Sequence, residues 1–334
     1  MPAGRTPLRR RLRGALLAAT ALVASGAIAL ALLWAALPDP APLARVNPRT
    51  TALIEQRRGE ARARRRAYRP RQVWVGLERI SPRLVEAVLL SEDANFWGHD
   101  GIDWDAIQEA ARRDLTQRRF AVGASTITQQ LAKNLWFGTE KSLWRKAKEA
   151  ILARKLERAL TKRRILSLYL NVAEWDDGVF GIEAGARDRF GTSAAGLDTA
   201  QAVVMASMLP APRRVDLGNP STWVKRRSRR LLDRLRAAGR ISADEHLHAS
   251  AELDRILAGP TPGDDREEPP EEEAAPTAPA PPTVSPPPVA AAPASEAEAA
   301  PARGSEDADH QNGGAGTAGQ AVMAPNEQGA APHE

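Results

Sequence analysis

The longest apolar stretch of the chain runs from Ala15 to Leu37, twenty-three residues interrupted at Ser25 and Gly26. At about 1.5 Å per residue such a helix crosses a hydrocarbon core of about 30 Å, so the pattern predicts a transmembrane helix. The run exceeds the roughly 7–15 residues of a signal core. Pro38-Asp39-Pro40 is also a poor cleavage site, which favours an anchor over a cleaved leader. Arg5, Arg9, Arg10, Arg11 and Arg13 precede the run, against Arg45, Arg49 and Arg57 in the twenty residues after it. That asymmetry puts the N-terminus in the cytoplasm and the rest of the chain across the membrane. Trp34 falls where an interfacial aromatic would sit.

From Val73 to Leu257 the pattern is helical almost throughout. Ser81-Pro82 predicts an N-cap with proline in the first turn, followed by Leu84, Val85, Val88 and Leu89 at helical spacing. Asp103 is placed to cap a helix bearing Trp104, Ile107, Ala111 and Leu115 on one side. Ser125 or Thr126 opens a third segment ending at Leu135, and Leu143 to Leu160 reads as a long fourth. Thr161 caps a fifth that turns Ile165, Leu166, Tyr169 and Leu170 inward. Asp198 with Gln201 and Ser242 with Glu245 have capping-box spacing, and Pro210 with Pro212 ends the earlier of these two helices. No alternation of useful length predicts a strand, and no repeat period emerges. An all-α domain over residues 73–258 is expected, large enough for one substantial core.

Composition shifts on either side of that domain. Residues 1–14 are a basic segment, and residues 38–72 read as a basic linker with Arg57, Arg58, Arg62, Arg64, Arg65, Arg66, Arg69 and Arg71. These arginines suit a solvated helix or linker, or contact with anionic headgroups at about 1 kcal/mol per basic side chain. Residues 259–334 hold fourteen acidic residues against two arginines, fifteen of the 26 prolines and no aromatic. Such a tail cannot bury a core and is expected to be disordered, as a spacer or as a docking segment for a basic partner. It carries −12 of the whole-chain +6, leaving +18 on residues 1–258, so the body is expected to meet something anionic. The absence of cysteine excludes disulfide frameworks, thiolate metal sites and cysteine nucleophiles.

Glu92 follows Val85, Val88 and Leu89 by seven, four and three residues, so its carboxylate ends the core-facing stripe. Partial desolvation there would push the carboxyl upward, toward a general base for a sugar hydroxyl. Pairing with an arginine or capping the next turn is the competing reading, and both apply to Asp93. His99 reads as a packed or hydrogen-bonded histidine. No second histidine or carboxylate stands at recognisable metal spacing around it, and His246 and His248 point different ways, so no metal site is expected. Lys141, Arg145 and Lys148 share one face, with Glu149 four residues beyond Arg145. That face is either a solvated ion pair or a cradle for a phosphate or diphosphate. Gly123 to Asn134 is dense in hydrogen-bonding side chains. Helix capping accounts for Ser125 and Thr126 but leaves Gln129, Gln130, Lys133 and Asn134 for sugar hydroxyls or phosphates.

Glu92-Asp93-Ala94-Asn95-Phe96-Trp97-Gly98-His99-Asp100-Gly101, then Gly123 to Asn134, then Arg145-Lys146-Ala147-Lys148-Glu149 resemble the ordered motifs of the peptidoglycan glycosyltransferases. Arg164 to Trp175 with Phe180-Gly181, and Ala202 to Pro212, continue the series. The pattern is most similar to the monofunctional biosynthetic branch of that family, over roughly Val73 to Trp223. The resemblance implies a lysozyme-like helical glycosyltransferase domain that polymerises lipid II into β-1,4 glycan strands. Its place would be the periplasmic side of the inner membrane, alone or with wall-synthesis or division proteins. It implies Glu92 as the base that deprotonates the acceptor's GlcNAc 4-hydroxyl, which attacks the donor's MurNAc anomeric carbon with inversion. Undecaprenyl diphosphate leaves, and Lys133, Lys141, Arg145 and Lys148 would compensate its charge. Asp93, Phe96, His99, Ser125, Thr126, Gln129 and Asn134 would complete the substrate-binding set. Glu149 matches the second glutamate, orienting the cations or a divalent ion. No permanently bound cofactor is implied, although Mg or Mn could accompany the diphosphate.

Ala124, Lys141, Asp176, Gly185 and Arg189 depart from the usual glycine, arginine, glycine, alanine and tyrosine. Lys141 forgoes bidentate phosphate binding. The rival readings are a lytic transglycosylase or lysozyme relative, which needs no diphosphate cradle, and a non-catalytic, membrane-tethered wall-binding protein. Nucleic acid suits the charge but lies on the wrong side of the membrane. A bifunctional synthase is not expected, because no Ser-x-x-Lys nucleophile motif occurs.

Overall fold

A computed structural model describes residues 6–117, 125–139 and 142–258; the tail expectation lies outside them. Helix α1 (Thr6–Ala36) contains the apolar run; Arg13–Ala36 has a mean hydropathy of 2.3 and is long and apolar enough to cross a membrane, as an anchor or a signal sequence. Its last turn is joined to the folded body. Leu37 enters the core, and Lys155 Nζ donates to the carbonyls of Trp34 (3.2 Å) and Leu37 (2.8 Å). Lys155 and Arg158 also stand over the Trp34 ring at 5.6 and 4.9 Å. A cation at a helix C-terminus satisfies orphan carbonyls and complements the dipole.

Residues read as linker form α2 (Ala52–Ala63), capped by Thr51, whose Leu53 and Ile54 pack with Phe180 and Tyr68. The helix was illegible as a core element because three of its twelve residues are buried and the rest are largely charged. Arg57 pairs with Glu60 and with buried Glu174 at 3.0 and 2.8 Å. Arg58, Arg66 and Arg71 pair with Glu55, Asp177 and Asp188. The remaining helices are α3 (Pro82–Glu92), α4 (Trp104–Gln117), α5 (Ile127–Trp136), α6 (Leu143–Ala159), α7 (Lys162–Val172), α8 (Ile182–Phe190), α9 (Thr199–Met208), α10 (Thr222–Ala237) and α11 (Ala243–Ile256). Helix α9 is buried on nearly every side and packs against α3, α10 and α11, while α5 packs against α6 and α7.

Capping agrees with the sequence at Asp103, Thr126, Thr161 and Asp198. Two caps differ. Ser81 occupies the N-cap, but its hydroxyl donates to the Leu197 carbonyl at 2.8 Å. Ser242 caps α11, while Glu245 leaves the expected box to accept from Thr199 and pair with Arg83. The expectation of no strands also fails. Strands β1 (Arg71–Gln72), β2 (Glu174–Asp176) and β3 (Val179–Phe180) form a small sheet of order β1-β3-β2, with β1 parallel and β2 antiparallel to β3. Two or three residues are too few to show a period of two.

Two of the positions that depart from the resembled motifs, Asp176 and Arg189, meet each other. Arg189 pairs with Asp176 at 2.8 Å and donates to the carbonyls of Val215 and Pro212. Gly185 lets α8 lie on Trp175, since a Cβ there would come within 2.7 Å of the Trp175 Cβ. Gly181, at φ +78°, has no such alternative, because a Cβ would meet the Asn171 carbonyl oxygen at 2.8 Å.

Burial holds the Glu174 carboxyl above its ordinary value of 4.5 against the pull of Arg57, while on Arg57 the two carboxylates outweigh burial and raise the guanidinium. The folded protein therefore binds the Glu174 proton more tightly than the unfolded chain, so this group's contribution to stability falls as pH rises above 4.5 through its folded value. Thermal melts between pH 4.5 and neutrality are expected to show Glu174→Gln gaining on the wild type as pH rises. A gap moving the other way would mean that the Arg57 pair dominates.

Candidate functional site

Glu92 is the last residue of α3, where the buried Leu84, Val88 and Leu89 stripe ends, and 10% of its side chain is exposed. Its Oε2 accepts from Gln130 Nε2 at 3.0 Å, and Gln130 Oε1 accepts from the Tyr169 hydroxyl at 3.0 Å. Oε1 accepts from Arg227 Nη2 at 3.2 Å, with the Arg227 guanidinium 5.9 Å from the Trp223 ring centroid. Glu92 thus ends the core-facing stripe, as the sequence placed it, and is also paired with an arginine. Donors from α5 and α10 favour the carboxylate form and fix its direction.

Asp93 turns the opposite way and is buried. It accepts from His99 Nε2 at 3.0 Å and from the Ile127 backbone N–H, in the first turn of α5, at 2.9 Å. The Gly101 N–H donates to His99 Nδ1, which assigns the ring proton to Nε2 and makes His99 a donor to Asp93. Asp103 completes a cluster in which one ligand atom from each of Asp93, His99 and Asp103 lies within 4.8 Å of the others. Sequence spacing did not reveal this grouping. Its acceptors already serve protein donors, because Asp103 caps α4 through Ala106 and accepts from Asn95. Phe96 lies in the core, edge-on to Trp97 and His99, with Lys162 over its face at 4.4 Å.

Helix α5 carries the polar run. Thr126 and Gln129 form a reciprocal capping box, and the Thr126 hydroxyl donates to the Gly101 carbonyl at 2.7 Å. Gln129 is thereby buried in the helix start, and Gln130, one residue and about 100° further round, reaches Glu92. Lys133 is half-buried and Asn134 buried in the last turns of α5.

The second charge centre is on α6. Glu149 is buried, with Arg145 Nη1 donating to Oε1 and Lys146 Nζ 3.4 Å from Oε2. Lys146 also donates to the Ser125 hydroxyl at 2.5 Å, tying α6 to the start of α5. Lys148 points elsewhere, its Nζ 5.4 Å from the Trp144 ring centroid. Leu143 and Trp144 are 92% and 58% exposed, a solvent-facing apolar pair beside these cations. Lys141 lies outside the described residues.

Sequence reasoning missed three contacts: Gln130, Arg227 and Lys146. Arg227 carried a usable signal, since it lies on the Val224, Ser228, Leu231 and Leu235 side of α10, and a cation within a buried stripe implies a carboxylate opposite. Beside it a shallow, open recess is lined by Ser91, Arg227, Arg230, Leu231 and Arg234. Arg234 donates to the Leu90 carbonyl at 2.8 Å, and burial together with neighbouring Arg227 lowers its guanidinium.

The Asp93 latch is expected to stabilise the fold rather than to contact substrate. Asp93→Asn turns an amide donor toward at least one N–H and should cost about 1–3 kcal/mol in denaturant melts. The folded fraction should keep the wild-type KM; a changed KM with unchanged stability would place Asp93 against the substrate instead.

Residues 59–236 match the family model described as transglycosylase, more than half of the chain. A relative named biosynthetic peptidoglycan transglycosylase from Nitrosospira multiformis is 42% identical over 192 residues, 58% of this chain and 84% of the relative. Its namesake from Nitrosomonas europaea is 47% identical over 192 residues, 58% of this chain and 79% of that protein. Another from Bordetella pertussis is 45% identical over 197 residues, 57% and 80% of the two chains. The family model spans Glu92 at the end of α3 and the Arg145, Lys146 and Glu149 group of α6, and the chain belongs to the transglycosylase family.

Proposed function

We propose that the chain is a peptidoglycan glycosyltransferase that joins lipid II units into β-1,4 glycan strands and releases undecaprenyl diphosphate. The observation that carries this reading is the pairing of an oriented carboxylate, Glu92, with a cationic centre on α6, both tied to α5. Glu92 takes the proton from the acceptor's 4-hydroxyl as that oxygen attacks the donor's anomeric carbon from the face opposite the diphosphate. Gln130 and Arg227 hold the carboxylate in its ionised, acceptor form. The leaving group needs charge compensation rather than a proton, and Arg145, Lys146, Lys148 and Lys133 are the cations available for it.

A resident divalent ion fits poorly at Glu149, whose two oxygens already face Arg145 and Lys146. A metal that accompanies the diphosphate would arrive as part of the substrate. Joining of α1 to α6 through Lys155 supports an uncleaved anchor, and the arginines preceding the apolar run favour a cytoplasmic N-terminus with the domain on the periplasmic face of the inner membrane.

Polymerisation of lipid II tests the assignment. Glu92→Gln is expected to lower kcat by about 10²–10⁴-fold with the fold intact. Arg145→Ala and Lys148→Ala should chiefly weaken use of the diphosphate-bearing donor. Full activity in Glu92→Gln would remove the mechanism, and products from finished sacculi but not from lipid II would indicate a lytic enzyme.

A further inference from the structure

Helix α10 has seven basic residues against one acidic residue in sixteen. Part of that charge is used: Arg227 pairs with Glu92, Arg229 with Asp254, and Arg234 donates to the Leu90 carbonyl. Lys225, Arg230 and Arg236 have no carboxylate partner among the described residues, and Arg230 lines the recess with Ser91, Arg227, Leu231 and Arg234. A recess with three arginines in its wall, directly beside Glu92, attracts an anionic occupant.

The chain carries a complementary segment close by. Residues 264–273, Asp-Asp-Arg-Glu-Glu-Pro-Pro-Glu-Glu-Glu, hold seven acids and one arginine. Helices α10 and α11 run antiparallel, since Arg229 pairs with Asp254 and, a turn further along α10, Asp233 pairs with His246. The end of α11 at Ile256 therefore lies toward the N-terminal half of α10. Seven residue-to-residue steps, through residues 258–263, lead from Leu257 to Asp264. At most about 3.6 Å each, they span about 25 Å, close to the length of a sixteen-residue helix at about 1.5 Å per residue. The acidic segment can thus reach any point along α10.

We infer that residues 264–273 dock on the arginine recess of α10 beside Glu92 and compete there with the anionic substrate. The docking stands on charge and reach alone; the competition rests on the function proposed above. A tethered acidic segment acts at an effective concentration in the millimolar range, so individually weak ion pairs suffice to occupy the recess.

Because the chain lacks cysteine, spin labels placed on the full-length Ala237→Cys, Ala274→Cys double variant report one distance. Docking predicts a compact distance population at about 0.1 M salt that broadens at about 1 M, where the Debye length falls from about 10 Å to about 3 Å. The same broadening is expected at low salt on Arg230→Ala, and when the seven acids are replaced by their amides. A distribution indifferent to salt and to both changes would overturn the docking and leave the tail as a spacer or as a site for a separate basic protein. The amide variant should also lower the KM for lipid II about 2–5-fold at low salt and match the wild type at high salt. An unchanged KM beside a docked tail would overturn the competition. The distance measurement uses no substrate, so it separates failure of this inference from failure of the proposed function.

Discussion

An ionised carboxylate removed from water costs several kcal/mol unless donors inside the protein meet it, and the arrangement of this domain follows from how that cost is met. Several of the acids held out of water are answered from another element. Glu92 of α3 is met by α5 and α10, Asp93 by His99 and the first turn of α5, and Glu174 of β2 by Arg57 of α2. Glu183 of α8 accepts from the Ala194 backbone as well as from Arg187. These acids therefore fix how the elements sit against each other, while the apolar core around α9 supplies the burial.

Helix α5 is where the two charge centres meet. Its first turn is pinned by Asp93 and by the Thr126 and Gln129 box, and Ser125 just before it accepts from Lys146 of α6. One turn on, Gln130 reaches Glu92. A short helix anchored at its start can hold a proton acceptor and a cationic group in a set relation, which is what transfer of a sugar from a diphosphate to a hydroxyl requires.

Much of the fold was legible where a side chain announced its own backbone role. Thr126, Thr161 and Asp198 cap the helices they were expected to cap, and the apolar run became α1. The packing of α2 against the body was missed because its buried face is narrow and its arginines looked solvated until Glu174 and Glu60 were seen beside them. The strands were missed because they are shorter than one recognisable alternation. At the site, the end of the α3 stripe gave Glu92 its position, but nothing local to it pointed to Arg227, 135 residues away in sequence. The two consecutive glutamines were read as serving sugar hydroxyls or phosphates, whereas helix geometry gives Gln129 to the capping box and Gln130 to Glu92. The Asp93, His99 and Asp103 grouping likewise arises from a turn that spacing rules do not encode.

The union of α1 with α6 means that a force on the apolar helix is a force on the folded domain. A flexible tether would only limit diffusion, whereas a helix whose final carbonyls are gripped by Lys155 and whose Trp34 is covered by Lys155 and Arg158 behaves as a lever. When lipid thickness changes, a spanning helix adjusts by tilting. With α1 as a bilayer anchor, such a tilt would be passed through Lys155 to α6 and the cations it carries.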